Sequence, residues 1–243
     1  MSSFKKVIIS LLLFYSHCLF ASDINLSSKD KNVVFIELFT SQGCSSCPPA
    51  EEYLNKFVDN NELWTKYIPI AFHVNYWDYI GWKDIFAEAE FGARQSQYAK
   101  LKRVRTVYTP AFVVDGNAWR RSFFNSAPNG MGLDKGVLTI KTKGEKVFAS
   151  FIHDGTKHKR LTMNIALLGI GINVKISAGE NEGRQSTHSF VVLGYSRETS
   201  DKINWEMSLP KMKKHPNAER YALVAWVNKA GIPTPLQAVG GWF

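Results

Sequence analysis

Apolar positions along the chain follow two different periods. Val33 to Phe39 (VVFIELF) is a nearly unbroken apolar run, the pattern of a strand buried on both faces. A loop rich in Ser and Gly, TSQGCSSCPP, follows. Apolar residues then recur at Ala50, Tyr53, Leu54, Phe57 and Val58, the i, i+3, i+4, i+7, i+8 spacing of one helix face. Pro48 and Pro49 are compatible with that helix because they fall in its first turn, where backbone N–H groups have no partner anyway. Tyr67 to Val74 (YIPIAFHV) predicts a second strand. Asp84 to Arg103 predicts helical segments through Ile85, Phe86, Ala89, Tyr98 and Leu101, with a break at Gly92. Thr109 to Val114 (TPAFVV) predicts a third strand, and Asp115-Gly116 a hairpin turn. Such alternation of strands and helices is α/β organisation.

From Gly136 onward the helical period is gone. Short strand-like runs remain: VLTIKT, KVFASFIH, LTMNIALLGI, HSFVVLGYS and YALVAWVN, separated by turn residues at Asp154-Gly155, Gly179 and Asn228 to Gly231. They predict a small β-sandwich or barrel. Ser122 to Lys135 holds Asn, Pro and Gly without helical spacing, which places a domain boundary near residue 136. The expected fold class is an α/β domain over 32–135 followed by a mostly-β, sandwich-like domain over 136–243.

Composition changes this picture little, since 45% hydrophobic and 21% charged residues are ordinary for a globular chain. The amino terminus changes it more. Lys5 and Lys6 precede an apolar run, Val7 to Tyr15, that is too short to span a bilayer, and Ala21 offers a small residue at a cleavage point. Residues 1–21 are therefore expected to be a signal peptide, and the protein to be exported, periplasmic or extracellular. Lipidation at Cys18, or retention of the segment, is the alternative; Tyr15-Ser16-His17 is a poor lipobox. Removing Lys5 and Lys6 takes the formal charge from +9 to 9 − 2 = +7. The remaining cations are scattered, as at Lys211, Lys213, Lys214 and from Lys157 to Arg160, without interleaved aromatics. This argues for a solvated surface and against a nucleic-acid partner. No later stretch is long and apolar enough for a transmembrane helix.

With Cys18 gone, Cys44 and Cys47 are the cysteines that remain of three. The pair sits between a buried strand and an amphipathic helix. Unpaired N–H groups and the positive end of the helix dipole stabilise a thiolate at that place. Cys47, one turn on, is aligned with Ala50 and Leu54 on the buried face. This predicts an exposed attacker and a sheltered resolver, the arrangement thiol–disulfide exchange needs. A zinc half-site and a purely structural disulfide are the bland readings. The first lacks a second CxxC; the second closes too short a loop to stabilise much. Thr109-Pro110 begins a strand some sixty residues after the cysteines, where thioredoxin-like folds carry a cis-proline facing the CxxC. A cis Thr109–Pro110 bond is predicted.

The segment VVFIELFTSQGCSSCPPAEEYL, with FHVNYWDYIGWKDIFA, RQSQYA, VYTPAFVVDG, AGENEGR, HSFVVL, VAWVN and LQA, resembles the secreted thioredoxin-like family catalogued as domain of unknown function 1223. The resemblance implies a thioredoxin-like first domain with an appended β domain. The final helix of the thioredoxin fold is not legible between Asn117 and Lys135.

The function expected is exported thiol–disulfide exchange on a protein or small-molecule thiol or disulfide, with a redox partner recycling the pair. Cys44 attacks, Cys47 resolves, and Pro110 holds the partner peptide. Thr109, Ser45, Ser46 and Trp77 line the substrate side. No cofactor beyond a Cys44–Cys47 disulfide, and no metal, is expected. His73, at the end of the second strand, is an accessory candidate, either a proton carrier or a hydrogen-bonded structural histidine. Glu180 and Arg184 belong to a charged turn between glycines, whose family resemblance implies an approach to the thiols. Cation binding by Glu180 and Glu182, or a solvated hairpin, are its alternatives. Two rival functions stay open: a Cu(I) or metal-delivery module using Cys44, Cys47 and His73, and a non-catalytic adaptor.

Overall fold

Strand β1 (Asn25–Ser27) precedes β2 (Val34–Thr40), whose seven residues are all buried. The cysteine loop then enters helix α1 (Pro48–Asn55), with proline in its first two positions and Cys47 as the residue before it. A 3₁₀ turn, Lys56–Asp59, continues α1, so the apolar face read from Ala50 to Val58 is divided between two helix types. Strand β3 (Tyr67–His73) returns parallel to β2, pairing Val34 with Tyr67 through to Thr40 with His73. Helix α2 (Ala89–Lys100) runs through Gly92 without a break, and residues 84–88 before it are irregular. Strand β4 (Ala111–Val114) lies antiparallel to β2 and forms a hairpin with β5 (Asn117–Trp119). Asp115 and Gly116 both have positive φ, 48° and 79°, as the predicted tight hairpin requires. The Thr109–Pro110 bond is cis.

The second half supplies β6 (Gly136–Lys143), β7 (Lys146–His153), β8 (Leu161–Ile170), β9 (Ile172–Lys175), β10 (Gln185–His188), β11 (Val191–Ser200), β12 (Asn204–Ser208), β13 (Arg220–Lys229) and β14 (Pro235–Trp242). This is a computed structural model, and it describes residues 23–29, 33–120, 127–130, 132–133, 136–153, 160–212 and 217–243. The expected signal peptide with Cys18 and Ala21, parts of the 122–135 connection, the Asp154-Gly155 turn, and Lys157, Lys213 and Lys214 lie outside the described residues.

The expected fold class, an α/β thioredoxin-like N-terminal domain with a separate mostly-β C-terminal domain, is corrected by this architecture. The molecule is mostly β, 46% strand against 14% helix, with two α-helices among the described residues. One eight-stranded sheet runs β14–β13–β8–β11–β3–β2–β4–β5 and draws on both halves of the chain. The reason is an edge. β3 pairs with β2 on one side, and its other side would present unpaired backbone groups. There β11 docks parallel, with Val191 beside Ala71 and the Ala71 N–H donating to Phe190 O at 2.8 Å. The periodicity of β3 reports that it is a buried strand; it does not report which strand takes its edge.

A second sheet, β1–β6–β7–β12, covers the end of the large sheet formed by the second half. Alternation along β8 divides the core between the two faces. Met163, Ile165 and Leu167 meet Leu138, Ile140 and Phe151 of the smaller sheet. Ala166, Leu168 and Ile170 join the opposite core with Phe35, Phe72 and Trp226. All ten positions of β8 are buried, which accounts for its unbroken apolar run. No helix of the described residues is long and apolar enough to cross a membrane.

An arginine–glutamate ion pair lies inside this core. Arg94 Nε of α2 donates to Glu37 Oε1 of β2 at 2.6 Å, and the Tyr98 hydroxyl donates to Glu37 Oε2 at 2.5 Å. Arg94 also donates to Pro233 O at 3.1 Å and stacks its guanidinium 5.2 Å from the Trp226 ring centre. Removing the cation strands a buried carboxylate. Arg94→Met should therefore cost about 3–5 kcal/mol of folding stability in urea titration; a loss below about 1 kcal/mol would mean that the pair does not anchor α2.

Candidate functional site

Cys44 and Cys47 form a disulfide at the start of α1, with Cα atoms 5.4 Å apart. Both are buried: Cys44 is 1% and Cys47 0% exposed, while Ser45 and Ser46 between them face solvent. The expected exposed attacker is thus corrected. Cys44 is sheltered because the loop is packed from two sides. On one side a Cβ added to Gly43 would stand 3.1 Å from Ile80 Cδ1 and 3.3 Å from Trp77 Cβ, so the segment 77–80 rests directly on the loop backbone. On the other side Asn181 Nδ2 donates to Gln42 O at 2.8 Å and to Cys44 O at 2.9 Å. The Ser45 N–H donates to Glu180 Oε2 at 3.3 Å. The charged turn thus reaches the thiol loop through Glu180 and Asn181. Arg184 points instead along α1, 3.9 Å from Glu52.

Trp77 lies half-buried, and its Nε1–H donates to Thr109 Oγ1 at 2.7 Å. This ties Thr109, and Pro110 next to it in the chain, to Trp77, whose Cβ faces Gly43. Tyr79, 80% exposed, stacks on Trp77 with ring centres 6.5 Å apart. Thr109 itself is buried, and its hydroxyl accepts the Trp77 bond.

Beneath the loop is a buried polar layer that the sequence pattern did not single out. His73 Nδ1 stands 2.7 Å from Asp84 Oδ2, and the same carboxylate oxygen accepts the Gln42 N–H at 2.8 Å. The Gln42 side chain takes the Trp82 Nε1–H at 2.9 Å on its oxygen and places its nitrogen 3.3 Å from His188 Nε2. Glu51, one turn beyond Cys47 on α1, accepts the Thr40 hydroxyl at 2.6 Å on Oε1. Its Oε2 is 2.8 Å from His188 Nδ1, a close polar contact. Burial by itself pushes the Asp84 carboxyl up, but the His73 charge and the bonds from His73, Gln42 and Phe86 outweigh it and hold Asp84 below its ordinary value. Burial likewise works against a charged His73; the Asp84 charge and bond, with the Glu51 charge, outweigh it and raise the imidazole. Burial also raises Glu51, and the charges of His188 and His73 with the Thr40 bond bring it below its ordinary value.

Of these groups only His73 stood out in the sequence as a site candidate. Glu51 and Asp84 read as ordinary helix and loop acids, and His188 arrives from more than a hundred residues away. The signal available for Glu51 was its i+4 spacing from Cys47 on the buried helix face.

Fold and site together define a mostly-β protein that seats a CxxC disulfide between a buried strand and a short helix. The model of the family described as "Protein of unknown function (DUF1223)" matches residues 35–228, and the chain belongs to that family. A crystal structure of protein AGR_C_4864 from Agrobacterium tumefaciens is similar at 23% identity and TM-score 0.59, over 88% of this chain and 95% of that one. HBP35 of Porphyromonas gingivalis is similar at 16% identity and TM-score 0.50, over 87% of this chain and 75% of that one. Both are likenesses of fold. Comparison with curated proteins gave no match.

Asn181 is the link from the second half to the cysteine loop. Asn181→Ala takes the side-chain donor from Gln42 O and one of two donors from Cys44 O, which keeps the Cys47 N–H, and should cost about 1–3 kcal/mol. It should also speed reduction of the disulfide by dithiothreitol, followed by thiol alkylation and mass spectrometry. An unchanged reduction rate would show that Asn181 does not hold the loop closed.

Proposed function

We propose that the chain is an exported thiol–disulfide oxidoreductase working through Cys44 and Cys47. The observation that carries this reading is the pair's disulfide at the first turn of α1, with solvent-facing Ser45 and Ser46 between the two sulfurs. In the reduced protein the Cys44 thiolate attacks one sulfur of a substrate disulfide, forming a mixed disulfide and releasing one substrate thiolate. The Cys47 thiolate then attacks the Cys44 sulfur, releases the second substrate thiolate and closes the Cys44–Cys47 disulfide. Two electrons pass to the substrate; the reverse sequence donates a disulfide. A thiolate at a helix start is favoured by the dipole and by free N–H groups, and lowers the barrier to attack.

Because both sulfurs are sheltered, exchange requires a local opening of the loop or of the 77–80 lip. The wall of Trp77, Thr109 and Pro110 is the surface on which a thiol- or disulfide-bearing chain would rest. A separate redox partner restores the pair after each cycle. Cys44→Ser should abolish disulfide exchange with a model substrate such as insulin or a glutathione-mixed disulfide. Cys47→Ser should accumulate a mixed disulfide visible on non-reducing gels and by mass. Wild-type exchange rates in the Cys44→Ser protein would overturn the reading.

A further inference from the structure

Glu51, His73 and His188 converge below α1, each offering one ligand atom within 4.8 Å of those of the other two, and all three residues are buried. One of the three is unexplained by the protein alone. His73 Nε2 has no hydrogen-bond partner among the described residues, although His73 is 1% exposed. A buried imidazole nitrogen left unbonded costs free energy that a folded protein normally avoids. Here that imidazole shares a buried cluster with His188 and Glu51, whose Nδ1 and Oε2 lie 2.8 Å apart. We propose that this cluster is a binding site for a divalent ion of the zinc class, held by Glu51, His73 and His188.

The donor set suits that class. Two neutral imidazoles and one carboxylate are ligands for zinc and its first-row neighbours, whereas calcium and magnesium favour all-oxygen shells. Zinc bonds of about 2.0–2.2 Å set tetrahedral ligand atoms about 3.4 Å apart. The His188–Glu51 separation of 2.8 Å would open slightly. The outer partners match as well. His73 Nδ1 is engaged by Asp84 at 2.7 Å, the carboxylate–histidine arrangement that leaves Nε2 free to ligate. His188 Nε2 faces the Gln42 side-chain amide. Loading Nδ1 leaves the ring proton on Nε2, so the Gln42 oxygen would turn to it and release the Trp82 N–H that it accepts here. Glu51 also lines a cleft of about 160 Å³ between α1 and β10, with Arg184, Ser186 and Thr187, so one ligand of the cluster borders an open space. This site differs from a cysteine-based copper site, because no sulfur belongs to the ligand triangle.

The test uses the whole protein in its disulfide form, freed of metal with a chelator and then titrated with Zn(II) by calorimetry. One equivalent bound per chain with a higher melting temperature is expected, and no uptake by the folded protein overturns the proposal. Asp84→Asn should weaken binding about 10- to 100-fold, and His73→Ala or His188→Ala should abolish it. A Cys44→Ser, Cys47→Ser double variant should bind as the wild type does; dependence on the cysteines overturns the proposal and leaves exchange at Cys44 to be judged separately. Should a histidine variant fail to fold, Co(II)-loaded wild type decides. Strongly shifted ring-proton resonances from two histidines support the site, and resonances from one or none overturn it.

Discussion

The free edge of β3 is the constraint on which the site depends. A buried strand cannot leave its N–H and C=O groups facing an apolar layer, and the partner that covers β3 comes from the far half of the chain. Once the Ala71 N–H is bonded to Phe190 O, the residues just before Phe190 are fixed over α1. The Ser189 N–H donates to Asn55 Oδ1 at 3.1 Å, and Asn55 Nδ2 donates to Thr187 O at 2.8 Å. His188 then has nowhere to go but under the helix, against Glu51 and Gln42. The turn carrying Glu180 and Asn181 closes on the cysteine loop as part of the same β9–β10 hairpin. The seam therefore completes the sheet and assembles the site in one event.

Burying polar groups there has a cost, which the layer offsets by pairing each carboxylate. Asp84 gathers a backbone N–H from Gln42, another from Phe86 and the His73 ring. Glu51 gathers the Thr40 hydroxyl and the His188 ring. Paired in this way, the charges are tolerated in low dielectric and also define a single geometry for the loop above them. Gln42 is the joint between the two levels. It is two residues before Cys44, and its backbone and side chain together touch Asp84, Trp82, His188 and Asn181. A change in the buried layer thus has a short covalent path to the disulfide, while the wall of Trp77 and Thr109 meets the loop from the solvent side.

Much of the local structure was legible from residue pattern. The unbroken run of β2, the i+3/i+4 face of α1, the Asp115-Gly116 hairpin and the cysteine spacing each depend on neighbours a few positions away, and local sterics and burial decide them. Strands such as β10 and β12 escaped notice because Gln185–His188 and Asn204–Ser208 are short and largely exposed on one face. Gly92 did not break α2, since packing of Phe91, Arg94, Gln95 and Tyr98 outweighs the small propensity penalty of one glycine.

By itself the sequence determined the elements, the CxxC pair at a helix start and the family to which the chain belongs. Only the tertiary structure decided that one sheet would unite the two halves, that Cys44 would be sheltered, and that Glu51, His73, Asp84 and His188 would share one buried layer. The physical reason is range. Periodicity and turn chemistry are set by contacts between near neighbours, whereas the pairing of β3 with β11 and the meeting of Glu51 with His188 join residues more than a hundred positions apart, and no local pattern encodes which distant edge or charge will meet.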